Sequence, residues 1–120
     1  MKCPSAQAKI GNMVIGVNLS TAHVQILPKG WVVDQAFLEN SEEKSLIARF
    51  RFSGECVRGA CDKWDQHSCT CSVARRAIGL DISSGDAPVC PISKECRWLK
   101  QEGVEICLKC SFITTIRMPP

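Results

Sequence analysis

Apolar residues follow more than one rhythm along this chain. From Met13 to Leu27, Val14, Ile15, Val17, Leu19, Val24, Ile26 and Leu27 stand among short polar residues. That β-prone pattern predicts two strands, over about 12–19 and 22–27. From Ser45 to Ser53, Leu46, Ala48, Phe50 and Phe52 alternate with Ile47, Arg49 and Arg51. A period of two predicts a strand with one face in a core and two exposed arginines on the other. This strand runs through Ser53-Gly54 directly into Cys56, so the sheet would present the first cysteine of an array.

Further along, the period lengthens. Ser72 to Gly79 reads as a short helix closed by its glycine, with an Arg75-Arg76 pair suited to an acidic partner or a negative cluster. Ser93 as N-cap and Gly103 as stop predict a second helix, Lys94 to Glu102, carrying Cys96, Trp98 and Leu99, with Cys107 and Cys110 on a turn after it. Met1 to Ile10 has no clear period. Pro28-Lys29-Gly30 signals a turn, and Trp31 to Leu38 fits a strand or a helix equally. Asn40 to Lys44 reads as a polar connection, Asp81 to Pro88 as a loop, and Phe112 to Ile116 as a further β-prone stretch. Together these predict a single α+β domain: a small antiparallel sheet in residues 1–53, and a Cys-rich lobe in 54–120 with two short helices, stapled by metal or a cluster.

Composition narrows the class. A chain of 120 residues, 45% apolar and 22% charged, is globular and buries roughly two-thirds of its unfolded surface. No apolar run reaches the ~18 residues that span a bilayer, and the N-terminus lacks a secretory pattern. The expected location is therefore cytoplasmic, where the sequon Asn18-Leu19-Ser20 carries no meaning. A reducing compartment keeps thiols free, so a dense cysteine array points to metal rather than disulfides, and nine cannot all pair.

Eight of the nine cysteines form two runs of four, Cys56-x4-Cys61-x7-Cys69-x-Cys71 and Cys90-x5-Cys96-x10-Cys107-x2-Cys110. Each has a tryptophan just after its second cysteine, Trp64 and Trp98, as in two divergent copies of one unit. Cys107-Leu108-Lys109-Cys110 has the Cys-x2-Cys form common to zinc and iron-sulfur sites, and Cys90 with Cys96 supplies the nearest second pair. That quartet is the best ligand set; Cys56, Cys61, Cys69 and Cys71 are the second, with His67 an alternative to Cys71. Zinc ribbons use two closely spaced pairs, whereas the wider gaps here suit a larger [4Fe-4S] cluster, one or two per chain, with zinc as the alternative. Cys90-Pro91 is similar to the proline after a cluster cysteine in bacterial ferredoxins, although the full ferredoxin run is absent. Cys3 reads as a spare thiol, with a ninth ligand reaching back from a distance as the alternative, and His23 reads as a strand histidine rather than a ligand.

Each four-thiolate site with zinc or an oxidised four-iron cluster carries about −2. One such site takes the formal +3 down to +1 and two take it to −1. The nominal basicity therefore does not argue for nucleic acid. No glycine-rich phosphate loop, His-Glu-x-x-His pattern or nucleophile elbow occurs, which argues against a self-contained enzyme. The reading is a small iron-sulfur protein in electron transfer or redox sensing, with a protein redox partner and no membrane contact. The alternative is a zinc-stapled interaction module.

Overall fold

The computed structural model describes residues 1–20, 23–39 and 42–113. Four strands, β1 (Lys2–Ala6), β2 (Met13–Ser20), β3 (His23–Val32) and β4 (Phe50–Glu55), make an antiparallel sheet in the order β1-β4-β2-β3. Short helices accompany it, so the chain is α+β. Side chains alternate between the faces of a strand, and here both faces are covered. Val14 joins Ala8, Val33, Leu46 and Phe52 in one core. Its neighbour Ile15, equally buried, lines a cysteine-walled cavity.

The first core is roofed by α1 (Gln35–Glu39) and α2 (Glu43–Arg49). Residues 31–38 therefore divide between two elements: Trp31 and Val32 end β3, and Asp34 Oδ1 accepts the Phe37 N–H at 2.9 Å to start α1. The strand expected over 45–53 begins only at Phe50. Leu46, Ala48 and Arg49 are good helix formers, and Ile47 is the lone β-branched residue before Phe50, so propensity and burial of Leu46 favour a helix. Phe37 packs on Phe50 and Phe52 at centroid separations of 5.6 and 6.1 Å. Arg51, expected outside, is 3% exposed because β4 lies inside the sheet with both faces covered.

Pro28-Lys29-Gly30 does not end a strand. Val14 pairs with Trp31 but Gly16 with Ile26, so Leu27 to Gly30 form a bulge within β3, which is where a residue without an N–H is tolerated. β1 has no sequence period to reveal it; pairing makes it, with Cys3 opposite Gly54 and the Lys2 N–H on the Glu95 carbonyl at 2.6 Å.

The C-terminal half folds onto the other face through β5 (Trp64–Asp65), β6 (Thr70–Cys71), α3 (Ser72–Ala77), α4 (Arg97–Glu102) and α5 (Glu105–Lys109). Three α-helices thus replace the expected two. Val73, Ala74, Ala77, Trp98, Ile106 and Ile113 form their common core. α4 starts at Arg97 rather than Lys94, because the Glu95 N–H turns back to the carbonyl of buried Ile92 at 2.9 Å and Cys96, not Ser93, takes the N-cap position. Asn40 and Ser41 of the expected polar connection, and Thr114 to Ile116 of the expected β-prone tail, lie outside the described residues. Among the described residues, no helix is long and apolar enough to cross a membrane.

Candidate metal centre

Four local devices bring Cys90, Cys96, Cys107 and Cys110 to one place. Cys90 opens a turn in which its carbonyl accepts the Ser93 N–H at 3.3 Å, anchored by buried Ile92. Cys96 caps α4 with φ −72° and ψ 123°. Gly103, at φ 84°, ends α4 and reverses the chain into α5, a conformation that favours glycine. The expected turn at Cys107 and Cys110 is helical: Cys107 lies in α5 and Cys110 at its C-cap, three residues apart and so on one face. All four cysteines line a cavity of about 50 Å³, with Pro4, Ile15, Ile26 and Trp98 among its apolar walls.

Charge distinguishes this cavity from an ordinary core void. Nη1 of Arg51 donates to Cys110 Sγ at 2.8 Å, and the guanidinium lies 5.8 Å from the Trp98 ring centroid. Lys109, between the paired cysteines of α5, is also buried, and its ammonium donates to the Leu80 carbonyl. No carboxylate is buried among the described residues. The Nε1–H of Trp98, buried beside the cysteines, has no acceptor among the described residues. Burial pushes the Cys96 thiol up to about 12; the amides of Leu99 and Trp98 oppose the rise, while the Cys110 and Cys90 thiols add to it. Burial likewise raises Cys90 and Cys107, and the nearby Cys110 thiol raises each further. These four sulfurs share one electrostatic neighbourhood.

The first run is arranged differently from its expected quartet. Cys3 is not an isolated thiol. Burial pushes it up to about 11, against the Ser5 N–H, and the thiols of Cys71, Cys56 and Cys61 push the same way. The Ser5 N–H donates to Cys3 Sγ and the Lys63 N–H to Cys61 Sγ, both at 3.4 Å. Cys69, by contrast, is exposed at φ 54°, and its thiol donates to the Gln66 carbonyl at 3.8 Å. His67 is exposed in the loop between β5 and β6, with its backbone N–H on Asp65 Oδ1 at 2.9 Å. His23 stacks on Phe112 with centroids 5.3 Å apart, as suits a strand histidine.

Among the described residues, no three His, Cys, Asp or Glu side chains converge tightly enough to hold a single metal ion. Sequence reading ranks Cys3 as a spare thiol ahead of a ligand, and it misses Arg51 and Lys109. Cys3 lies more than fifty positions from its nearest companion, and the alternation that put Arg51 outside is blind to a second covered face. Only Lys109 had a signal, its place within Cys-x2-Cys. Set beside known proteins, the chain matches no family model, no curated protein and no solved structure.

Proposed function

We propose that this chain is a small cytoplasmic iron-sulfur protein that passes electrons or senses redox state, with a [4Fe-4S] cluster held by Cys90, Cys96, Cys107 and Cys110. The observation that carries this reading is the pair of buried cations. Arg51 donates to Cys110 Sγ, Lys109 lies between Cys107 and Cys110 in the chain with its ammonium on the Leu80 carbonyl, and no buried carboxylate among the described residues answers either. A desolvated cation is stable only against negative charge. Four thiolates around an oxidised four-iron cluster carry about −2, which two cations balance.

Two further observations support it. The unpartnered Trp98 Nε1–H suits a bound group rich in acceptor atoms, as inorganic sulfide is. The four sulfurs also share one apolar cavity, the burial that a cluster's irons and sulfides call for. All nine cysteines are free thiols, available as ligands. Redox chemistry would be the cluster's, while the chain supplies ligands, burial and hydrogen-bond donors. Its partner would be a protein: a reductase, a radical enzyme or a regulatory target.

Metal and acid-labile sulfide analysis of protein purified without oxygen tests the reading. Brown protein with iron and sulfide in equal amounts is expected. Colourless protein with stoichiometric zinc would replace the redox function with a zinc-stapled interaction module, and protein with neither metal would overturn both.

A further inference from the structure

β1 and β4 pair through Lys2 with Glu55 and Cys3 with Gly54, and the Cys56 N–H reaches back to the Met1 carbonyl at 3.0 Å. Cys3 and Cys56 therefore flank the same end of one ladder. Cys61 and Cys71 belong to the β5-β6 hairpin: Trp64 pairs with Cys71, and the Trp64 N–H reaches the Cys61 carbonyl at 3.2 Å.

One helix joins hairpin and ladder. Lys2 bridges to Cys96 at the start of α4. The next residue, Arg97, lays its guanidinium 5.3 Å from the Trp64 ring centroid. At the far end of α4, the Gln101 carboxamide grips the Cys71 backbone from both sides, its Oε1 accepting the N–H at 2.7 Å and its Nε2 donating to the carbonyl at 3.1 Å. The Nε–H of Arg97 is buried and has no acceptor among the described residues. It repeats, at this second group of cysteines, the unused donor that Trp98 supplies at the first.

We propose that Cys3, Cys56, Cys61 and Cys71 form a second four-thiolate centre of the same kind as the first, with Cys69 outside it. The backbone supports the parallel: Cys71 precedes α3 with φ −75° and ψ 120°, and Cys96 precedes α4 with φ −72° and ψ 123°. α4 carries a ligand of one centre, Cys96, and clamps a ligand of the other, Cys71. The two centres thus share one helix, whose five steps from Cys96 to Gln101 rise about 7.5 Å. Two adjacent clusters make a relay rather than a single store of charge. This inference rests on the cluster reading for the nature of the bound group, but its choice of donors is independent of the metal.

Iron, acid-labile sulfide and zinc are measured on the full chain, purified without oxygen, for the parent and for Cys3→Ser, Cys61→Ser, Cys69→Ser and Cys96→Ser. Cys69→Ser is expected to match the parent. Cys3→Ser and Cys61→Ser are each expected to lose about half of the metal, and Cys96→Ser the other half. Cys61, in the loop before β5, keeps the test decisive should Cys3→Ser fail to fold. Retention of all metal by Cys61→Ser, or loss of half by Cys69→Ser, would overturn the second centre. Loss of the whole metal content in a folded Cys96→Ser would overturn it while leaving the assignment of the first site standing. Two zinc ions falling to one in Cys61→Ser would uphold these donors and overturn the iron-sulfur function.

Discussion

Arg51 Nη1 donates a hydrogen bond to Cys110 Sγ at 2.8 Å. With the Trp98 ring below the same guanidinium, one cation joins β4 of the sheet to α4 and to the end of α5. What that contact contributes depends on the sulfur. Beside a neutral thiol, a buried guanidinium has lost its hydration without gaining a counter-charge; beside a thiolate it makes a charge-assisted hydrogen bond.

Arg51→Met separates these cases, since it keeps much of the side-chain bulk and removes the charge. In the metal-free, reduced protein the variant is expected to be at least as stable as the parent. In the loaded protein it is expected to be less stable by about 1–3 kcal/mol, with the reduction potential moved to more negative values, because a nearby cation favours the more negative, reduced state. Urea midpoints on both forms and a redox titration of the loaded form check this. Equal losses in both forms would assign Arg51 to packing alone.

Cys96→Ala and Cys110→Ala are expected to release the metal of the first site and to lower the thermal midpoint of the loaded protein. Phe52→Ala serves as the contrast. It empties part of the core on the opposite face of the sheet, at about 3–5 kcal/mol, yet removes no ligand, so whatever fraction stays folded should keep its metal. Metal content per folded molecule, read beside circular dichroism, distinguishes the two. Cys96→Ala with full metal content would show that the ligand set is wrongly assigned.

What could be read in the sequence was what is local. The β2-β3 pair, the stop at Gly103 and the shared neighbourhood of Cys90, Cys96, Cys107 and Cys110 all follow from spacing and propensity over short stretches. What could not be read depends on distant chain. β1 exists because β4 pairs with it, and Cys3 joins Cys56 through that pairing. The alternation at Phe50 and Phe52 was genuine, but it was extended backward into residues whose helix propensity and burial at Leu46 made them α2. Strict alternation places Arg51 in solvent because it assumes one wet face, and β4 has none between Arg51 and Gly54.

Trp98 tests the site from the side of its apolar wall. Trp98→Ala removes the largest fully buried side chain and is expected to cost about 3–5 kcal/mol, exposing the four sulfurs to water. Trp98→Phe retains a ring and deletes the unpartnered Nε1–H. Metal-free protein should tolerate it better than loaded protein, in which the donor has a partner to lose. Parallel melting curves of the loaded and metal-free forms read the difference. An unchanged loaded protein would mean that the indole N–H serves no bound group.

The acidity of the buried thiols sets a pH dependence whose sign reverses with loading. In the metal-free protein, burial lifts Cys3 from the ordinary 9.0 to about 11 and Cys96 to about 12. Between those limits the folded chain holds protons that the unfolded chain has released, so stability falls as pH rises. Below about 9 both states are protonated and the contribution is fully present. It declines from there and is lost as pH passes through 11 to 12. Metal reverses the argument: thiolate ligands are ionised in the folded state, so protons favour unfolding and stability falls on acidification. Urea midpoints of the reduced, metal-free chain should hold steady near neutrality and drop above about pH 9, while those of the loaded chain should drop toward acid. A metal-free chain as stable at pH 11 as at pH 8 would mean that the Cys3 and Cys96 thiols reach water, and the enclosed sulfur cavity would have to be redrawn.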